Sequence, residues 1–428
     1  MERSSTLPGI AQALSLMETG ALRARDLAEH CLARLQARNA EVHAFCAYDA
    51  QRIRRQADDV DAGVRRGLLA GIPFAAKDVI HSADYPTTYG SPIYAGYQTG
   101  RDAACIALAR EQGGVMMGKV VTSEFATQTP GPTRNPLNLA HTPGGSSSGS
   151  AAAVADGMAL VAWGTQTTGS ITRPAIYCGV VGYKPSFGLV STAGIGLLSP
   201  LQDTVGILAR DVSDAAATVL GIHGRRFRPA AADRRYRLAV CLSSQWRHAS
   251  AQAIAALDDW VARLGRAGFT VSQRTLTAGH EGLIEDQGRL VAYDARQALA
   301  HERLTDKARL SPRLTERMRG GEAIDLPTYL AMQQRAAAGR ARAEELFEDI
   351  DALVYLATDG EAEAGHNNSG SPRYGALWTL LHLPTIALPV TRGSGGLPLG
   401  VQLIGRYGQD EALLQIAERA AMCGGRDQ

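Results

Sequence analysis

Serine and glycine alternate in one short segment of this chain, and that combination could support nucleophilic chemistry. Residues 144–150 read Gly-Gly-Ser-Ser-Ser-Gly-Ser and run into an alanine-rich stretch that predicts the start of a helix. Backbone N–H groups at a helix start lack partners, and glycine lets the chain approach a ligand closely. The segment could therefore present a serine to a substrate. An isolated segment of this kind is more often a flexible loop or a helix N-cap.

Three known arrangements of these residue types can be tested on the sequence. A Walker A loop is excluded because no lysine follows the glycines. The pattern G-x-S-x-G would make Ser147 the nucleophile of an α/β-hydrolase. That serine must follow a strand, and the proline-containing stretch 134–143 cannot supply one. A β-lactamase-like S-x-x-K pair fails as well, because no lysine has a serine three positions earlier.

Lysine is scarce in this chain, which makes each lysine informative. Lys77, Lys119, Lys184 and Lys307 are the lysines, and the remaining 40 of the 44 basic residues are arginines. Arginine therefore serves wherever a positive charge is sufficient. Lysine can also lose its proton near neutral pH, so a position that holds lysine is a candidate general base. Chance is the simpler explanation for any one of the four.

The composition excludes several classes of function. The chain has 428 residues, 44 Lys and Arg against 42 Asp and Glu, and a formal net charge of +2. We expect a soluble globular protein and no nucleic-acid partner, because so small a charge cannot neutralise many phosphates. No stretch approaches the roughly 20 apolar residues that cross a bilayer, so no membrane partner is expected. Without an apolar signal segment near the start, the expected location is the cytoplasm.

Cysteine and histidine do not form a metal-binding pattern. The six cysteines are far apart without a C-x-x-C pair, and the histidines include no H-x-H or H-E-x-x-H. We predict buried free thiols, no metal and no cofactor. The cysteines are Cys31, Cys46, Cys105, Cys178, Cys241 and Cys423.

Hydrophobic spacing indicates the elements that must position the candidate residues. Residues 6–66 carry apolar side chains at three- to four-residue steps and predict a helical arm. Apolar runs at 68–76 and 115–121 predict strands covered on both faces, and residues 103–112 between them predict a helix. Strand, helix and strand at this spacing are typical of an α/β sheet.

The remaining segments continue this alternation. Residues 129–150 are a loop by composition, and a helix is expected from about 151. The apolar run 158–163 precedes a turn of small residues at 164–170. Residues 213–339 are mostly amphipathic helix, interrupted by one strand at 238–242, and returning strands are predicted at 353–356, 385–390 and 399–404.

Taken together, four segments resemble the amidase signature family in order and spacing. The interval from Ser146 to Ser170 matches that family's pair of catalytic serines. The resemblance is strong over residues 67–214 and again from about 377 onwards, and it is faint between them. The segments are residues 71–78, 144–150, 164–175 and 178–185.

The resemblance implies a triad of two serines and one lysine. Ser170 would be the nucleophile, Ser146 the bridging serine that follows a cis peptide bond, and Lys77 the base. A serine hydroxyl attacks poorly until its proton is removed, and a neutral lysine can remove it through an intervening hydroxyl. A neutral Lys77 at pH 7 requires a pKa lowered by about three units, which costs about 4 kcal/mol. The apolar residues 73–76 are suited to supply the necessary burial.

The same resemblance implies an oxyanion hole next to the nucleophile. Consecutive backbone N–H groups of Thr167, Thr168, Gly169 and Ser170 would face the charge that develops on the substrate oxygen. The threonine side chains are also compatible with ordinary β-branched packing. Gly145, just before the bridging serine, is assigned to substrate binding.

Three departures from the usual family sequence bear on the substrate. Gln166 stands where Asp is usual, Thr168 where Gly is usual, and Arg173 follows the nucleophile by three residues instead of two. This version is similar to the malonamidase branch, in which that arginine binds a substrate carboxylate. Arg173 would do the same through a bidentate pair. A buried arginine that clamps the loop to a nearby aspartate is an equally good interpretation.

These inferences lead to one expected architecture and reaction. We expect a single α/β/α domain around a mixed central sheet. The expected reaction is hydrolysis of amide C–N bonds through an acyl-enzyme, with a small-molecule amide or carbamate as partner, small esters also considered, and a homodimer left open. The regions are a helical arm (1–66), a catalytic core (67–214), a variable helical region over the active site (215–350) and returning strands with a C-terminal helix (351–428).

Two other classes of function stay open at this point. An amidotransferase A-type subunit resembles the same family and releases ammonia for tRNA-dependent amidation, but the length and near-neutral charge of this chain do not suggest partner subunits. A non-catalytic binding protein on the same scaffold is the second class, and the complete triad argues against it.

Overall fold

One β-sheet runs through the structure, a computed structural model that describes residues 7–231 and 234–424. Eleven strands in these described ranges belong to it. In chain order they are β1 (Phe45–Ala47), β2 (Pro73–Lys77), β3 (Val115–Val120), β4 (Val161–Gln166), β5 (Val181–Lys184), β6 (Thr204–Ala209), β7 (Arg237–Leu242), β8 (Thr270–Thr275), β9 (Ala352–Leu356), β10 (Thr385–Arg392) and β11 (Pro398–Ile404).

The sheet is mixed and is flanked by helices, which confirms the predicted fold class. Its strand order is β1-β3-β2-β4-β6-β5-β10-β11-β9-β7-β8. Strand β2 is parallel to β3 and β4, and β7 is parallel to β8 and β9, whereas the other neighbours are antiparallel. We propose that the whole chain forms one domain on this sheet, because its strands extend from residue 45 to residue 404.

The α-helices alternate with the strands and then dominate the stretch between β8 and β9. They are α1 (Ile10–Glu18), α2 (Ala24–Val42), α3 (Ala50–Asp61), α4 (Ala104–Glu111), α5 (Ser148–Ala155), α6 (Thr172–Cys178), α7 (Val212–Gly221), α8 (Ala251–Arg266), α9 (Ala278–Ala298), α10 (Ala300–Thr305), α11 (Pro312–Glu322), α12 (Leu326–Ala341), α13 (Arg373–Leu380) and α14 (Asp410–Ala421). No helix within the described ranges is both long enough and apolar enough to span a membrane.

The centre of the sheet is buried on both faces. Every residue of β2, β3 and β4 is buried, as their continuous apolar runs predict. Helix α5 consists of Ser, Gly, Ala and Val and is buried along seven of its eight residues. Its small side chains allow close packing of the helix against β4. The serine-rich loop is therefore held by the most densely packed part of the fold.

The N-terminal region is not purely helical, so the predicted helical arm is partly wrong. Helices α1, α2 and α3 form as expected, but β1 lies between α2 and α3 and pairs antiparallel with β3. Three residues are too few to show a strand period within a helical pattern. Residue 6, where the predicted arm begins, lies outside the described residues.

The predicted helical region 213–339 contains a second strand that its sequence did not indicate. Strand β8 pairs in parallel with β7 at the edge of the sheet, and all six of its residues are at least partly exposed. Such an edge strand has no apolar run that could identify it. The sequence patterns do not predict β5 and β6 either.

Three smaller expectations also need correction. The strand predicted from residue 68 begins only at Pro73, because the residues before it form a turn. All six cysteines are free, but two are not fully buried. Cys423 is partly exposed, and Cys46 is exposed although its thiol donates to the carbonyl of Lys119.

Parallel pairing brings the candidate residues to one edge of the sheet. Lys77 is the last residue of β2, and Gln166 is the last residue of β4. Because β2 and β4 are parallel neighbours, their carboxyl ends lie at the same edge. Ligand sites in α/β sheets commonly lie beyond such ends.

Candidate active site

Lys77 ends β2 with a fully buried side chain. Its Nζ atom lies 2.7 Å from Oγ of Ser146, 2.8 Å from Oγ1 of Thr165 and 3.3 Å from the Thr165 carbonyl oxygen. Burial lowers the pKa of Lys77 from 10.5 to about 7, while the Asp203 carboxylate raises this pKa and the Arg173 guanidinium lowers it. An amine with this pKa can accept and return a proton near neutral pH.

Ser146 lies in the glycine-rich loop that enters α5. The Gly145–Ser146 peptide bond is cis, as the family resemblance implies. The first turn of α5 needs glycine where it passes other backbone most closely, because a Cβ atom on Gly149 would lie 2.3 Å from the backbone N of Val121. The loop therefore packs against the end of β3 and directs Ser146 toward the buried lysine.

Ser170 lies in the turn between β4 and α6 and lines a cavity of about 700 Å³. The backbone N–H of Ser147 donates to the Ser170 carbonyl at 3.2 Å, which joins the two serine-bearing loops. Among the described residues, however, no hydrogen bond is made by the Ser170 hydroxyl. The structure thus pairs Lys77 with Ser146 directly and places Ser170 on the adjacent loop. Hydrogen bonds between catalytic groups often shorten only when substrate binds.

The backbone of residues 167–170 offers unpaired donors. Within residues 7–231 and 234–424, no hydrogen bond uses their N–H groups. Two carbonyl groups of the turn are fixed from behind: Thr167 O accepts from Gln287 Nε2 at 3.1 Å, and Thr168 O accepts from Thr379 Oγ1 at 3.2 Å. The turn is therefore held in shape while its donors stay available to a ligand.

Gln166 shows how this chain manages without the aspartate usual at that position. Its Oε1 atom accepts from the backbone N–H groups of Ile171 at 2.8 Å and Thr172 at 3.2 Å. Its Nε2 atom donates to Thr379 Oγ1 at 3.1 Å. The side chain thus ties the start of α6 to β4 as a carboxylate could, without adding a negative charge beside the serine turn.

Asp203 is a buried neighbour of the site that the sequence did not single out. It accepts hydrogen bonds from the Thr167 hydroxyl, from Leu198 N at 2.5 Å and from Ser199 N at 3.0 Å. Burial raises the pKa of Asp203 to about 6, against the effect of these donors and of Lys77. No recognised motif surrounds it, so only its acidic side chain just before β6 could have drawn attention.

Arg173 is buried on α6 and lines the same cavity as Ser170. Its Nη2 atom donates to the Gly145 carbonyl at 2.5 Å and to Ser369 Oγ at 3.4 Å. No ion pair of Arg173 occurs among the residues described, so the predicted clamp to an aspartate is replaced by a clamp to the Gly145 carbonyl. Its Nε and Nη1 atoms are buried and have no hydrogen-bond partner in the described ranges.

The walls of the cavity come from segments distant in sequence. Ser170, Arg173 and the two threonines of the turn lie on one side. Residues of helices α9 and α11 also line the cavity, and so do residues 367–370. No sequence pattern indicated that last segment, whose Asn and Ser residues resemble any polar loop.

The other lysines occupy different settings. Lys119 is buried and forms an ion pair of 2.8 Å with Asp78. Lys184 is buried, donates to the Pro185 carbonyl at 2.9 Å, and has a pKa lowered to about 7 by burial. Lys307 is exposed. Of the four, Lys77 is the lysine that contacts a serine of the motif.

Comparison with protein families and curated proteins extends over most of the chain. A family model described as Amidase matches residues 26–414. The A-type subunit of glutamyl-tRNA(Gln) amidotransferase from Anaeromyxobacter dehalogenans is 33% identical, with 96% of this chain and 95% of that protein covered. A protein of the same name from Synechococcus sp. (strain CC9311) is 31% identical, with 96% of both covered.

Solved structures show the same full-length likeness. A crystal structure of an amidase has a TM-score of 0.88 and 27% identity, and covers 98% of this chain and 100% of that one. The peptide amidase from Stenotrophomonas maltophilia has a TM-score of 0.82 and 26% identity, with 98% and 97% covered. A third structure is described as a vestigial protein complex that reveals the evolutionary origins of an s-triazine catabolic enzyme. It has a TM-score of 0.88 and 26% identity, and covers 97% of this chain and 98% of that one.

Proposed function

The chain belongs to the amidase family, and on that premise we propose that it hydrolyses the C–N bond of small-molecule amides through an acyl-enzyme on Ser170. The observation that carries this proposal is the buried amine of Lys77, 2.7 Å from Oγ of Ser146 and beside the loop of Ser170. A hydrolysis panel of primary amides, anilides, dicarboxylic monoamides, aryl carbamates and small esters tests it. Failure to hydrolyse any of these compounds would contradict the proposal.

The proposed mechanism moves one proton through the triad. Ser170 Oγ attacks the substrate carbonyl carbon, its proton passes to Ser146, and Ser146 passes its own proton to neutral Lys77. When the C–N bond breaks, the same groups return a proton to the leaving nitrogen. Water then attacks the acyl-enzyme ester with the same assistance, which releases the acid and restores the Ser170 hydroxyl.

The turn that precedes Ser170 supports the second part of this mechanism. Attack on the carbonyl places negative charge on its oxygen, and donors already fixed in place stabilise that charge without reorganising. We propose that the unpaired N–H groups of residues 167–170 form this oxyanion hole. Gln287 and Thr379 would maintain it, because they hold the carbonyl groups of the same turn.

The rate should depend on pH through Lys77. Only the neutral amine can accept the proton, and burial lowers the pKa of Lys77 to about 7. We expect kcat/KM to rise about tenfold per pH unit on the acidic side of about pH 7 and to level off above it. Rates with a neutral amide across about pH 5 to pH 9 measure this, and a flat profile would contradict the role of Lys77.

Asp203 provides the control for that profile, because its own pKa is raised to about 6 and lies within the pH range over which the rate is expected to rise. The Asp203 carboxylate also raises the pKa of Lys77. In Asp203→Asn, kcat/KM should therefore still rise with pH, but the rise should occur at lower pH. A thermal melt confirms that the variant is folded. If the rise of kcat/KM with pH disappears in Asp203→Asn, the titrating group is Asp203 and not Lys77.

We further propose that Arg173 binds an anionic group on the substrate, as in the malonamidase branch that its position resembles. The support is that Arg173 lines the cavity and that two of its buried N–H positions have no partner among the described residues. Arg173→Gln should lower kcat/KM for succinamate by about 10- to 100-fold and for butyramide much less, since a charge-assisted hydrogen bond contributes about 1.5–3 kcal/mol. Equal losses with both amides would contradict this and indicate only support of the Gly145 loop.

A second candidate function is that of an amidotransferase A-type subunit, which the 33% identity over nearly the full chain favours. Glutamine, as the ammonia donor, carries an ammonium group as well as a carboxylate. Among the described residues of the cavity wall, Glu316 is the one with a carboxylate that could bind this ammonium group, and it already forms an ion pair with Arg319. Glutaminase activity that appears only with partner subunits and tRNA would favour this function over hydrolysis by the isolated chain.

A further inference from the structure

Arg317 on α11 is a second arginine in the wall of the cavity that contains Ser170. Within residues 7–231 and 234–424, its guanidinium group takes part in no hydrogen bond, ion pair or aromatic contact. Burial lowers the pKa of Arg317, with no carboxylate acting against that effect. A positive group is thus partly withdrawn from solvent without a protein partner among the described residues.

The other charged side chains of the wall already have partners. Arg313 donates from Nη1 to the Gln128 carbonyl at 3.3 Å. Glu316 is paired with Arg319, and Arg173 holds the Gly145 carbonyl through Nη2. Among the described wall residues, Arg317 therefore differs in having a guanidinium group that is free on every nitrogen.

The cost of burying an unpaired cation is recovered when a ligand supplies the missing anion. Guanidinium suits this role because it presents a planar set of donors to a carboxylate and cannot become neutral near pH 7. We propose that Arg317 binds a second anionic group of the substrate, so that the preferred amide carries two anionic groups, one at Arg173 and one at Arg317. This inference rests on the proposed amidase function.

The dimensions and lining of the cavity fit such a substrate. Its volume of about 700 Å³ lies within the range of small-molecule sites. Ala126, Leu198 and Val291 contribute apolar surface to the same cavity, which suits methylene groups between the charges. Two arginines and these apolar side chains together favour a short acidic amide over a neutral one.

The test uses four amides that add the anionic groups one at a time: butyramide, succinamate, N-butyrylglycine and N-succinylglycine. We expect wild-type kcat/KM to be highest for N-succinylglycine. Arg317→Gln should lower that value by about 10- to 100-fold and leave butyramide within about twofold. Arg289→Gln is the matched control, because Arg289 is exposed on the neighbouring helix α9 and its replacement removes the same charge outside the cavity.

Two patterns would overturn the inference: equal effects of Arg317→Gln on all four amides, or no effect on N-succinylglycine. An equal loss with succinamate and N-succinylglycine would also overturn it, because Arg317 would then bind the same group as Arg173. Failure of the wild type to hydrolyse any amide would contradict the proposed function separately. In that case the anion site is tested by the rise in melting temperature that tricarballylate causes. A rise that is lost in Arg317→Gln but kept in Arg289→Gln supports the anion site at Arg317. The absence of any rise in the wild type overturns it.

Discussion

Ser170→Ala is expected to reduce amide turnover by about 10⁴- to 10⁶-fold, the range found when a nucleophilic serine is removed. The reason is that Ser170 Oγ forms the covalent bond of the proposed acyl-enzyme, and no other group can replace it. The fold should persist, because the Ser170 hydroxyl makes no hydrogen bond among the described residues. Single-turnover rates and a thermal melt of the purified variant measure both effects.

Ser147→Ala is the matched control for that experiment. Ser147 is the serine that the G-x-S-x-G pattern would select, but its hydroxyl is buried and donates to the Thr165 carbonyl at 3.2 Å. A fluorophosphonate should label the wild type and Ser147→Ala and should fail to label Ser170→Ala. Labelling that survives in Ser170→Ala would show that the nucleophile has been assigned to the wrong residue.

The second large effect is expected at Lys77. Lys77→Met keeps most of the side-chain volume but removes the base, and we expect turnover to fall by about 10²- to 10⁴-fold. Lys77→Ala should lose at least as much. Since the folded protein holds this amine in a setting that disfavours its charge, thermal stability of Lys77→Met should be unchanged or higher. Wild-type turnover in either variant would remove lysine from the mechanism.

Lys77→Arg separates the role of a base from that of a cation. Arginine keeps a positive charge but cannot act as a base near neutral pH. If Lys77 acts as the base, Lys77→Arg should be as inactive as Lys77→Met. Substantial activity in Lys77→Arg would mean that the site needs only a cation. Lys307→Met, at an exposed lysine outside the cavity, controls for nonspecific effects of the substitution.

The sequence was informative where chemistry restricts the choice of residue. A base near pH 7 excludes arginine, so the scarcity of lysine made each of the four lysines a candidate, and the resemblance to the amidase signature family selected Lys77. The structure places that lysine beside Ser146, and the spacing of the motif placed Ser170 on a second loop. The central strands were equally predictable, because burial on both faces requires continuous apolar runs such as Val115–Val120.

Other features could not be read from the sequence because they depend on contacts across the fold. Asp203 and Gln287 support the serine turn from segments without a recognised motif. Strand β8 is exposed at the sheet edge, so its composition resembles that of a surface loop. The partner of Arg173 was predicted to be an aspartate and is a backbone carbonyl, and no sequence pattern marks a carbonyl as an acceptor.

The division of the cavity walls has a consequence for how this protein can change over evolution. Lys77, Ser146 and Ser170 are anchored to the centre of the sheet, whereas Arg317 comes from a helix far away in the chain. On the proposed function, substitutions on that helix would alter which compounds are accepted without disturbing bond cleavage. Selection for a new nutrient or xenobiotic could therefore act on α11 alone, and libraries that randomise this helix should retain the reaction while diversifying its targets.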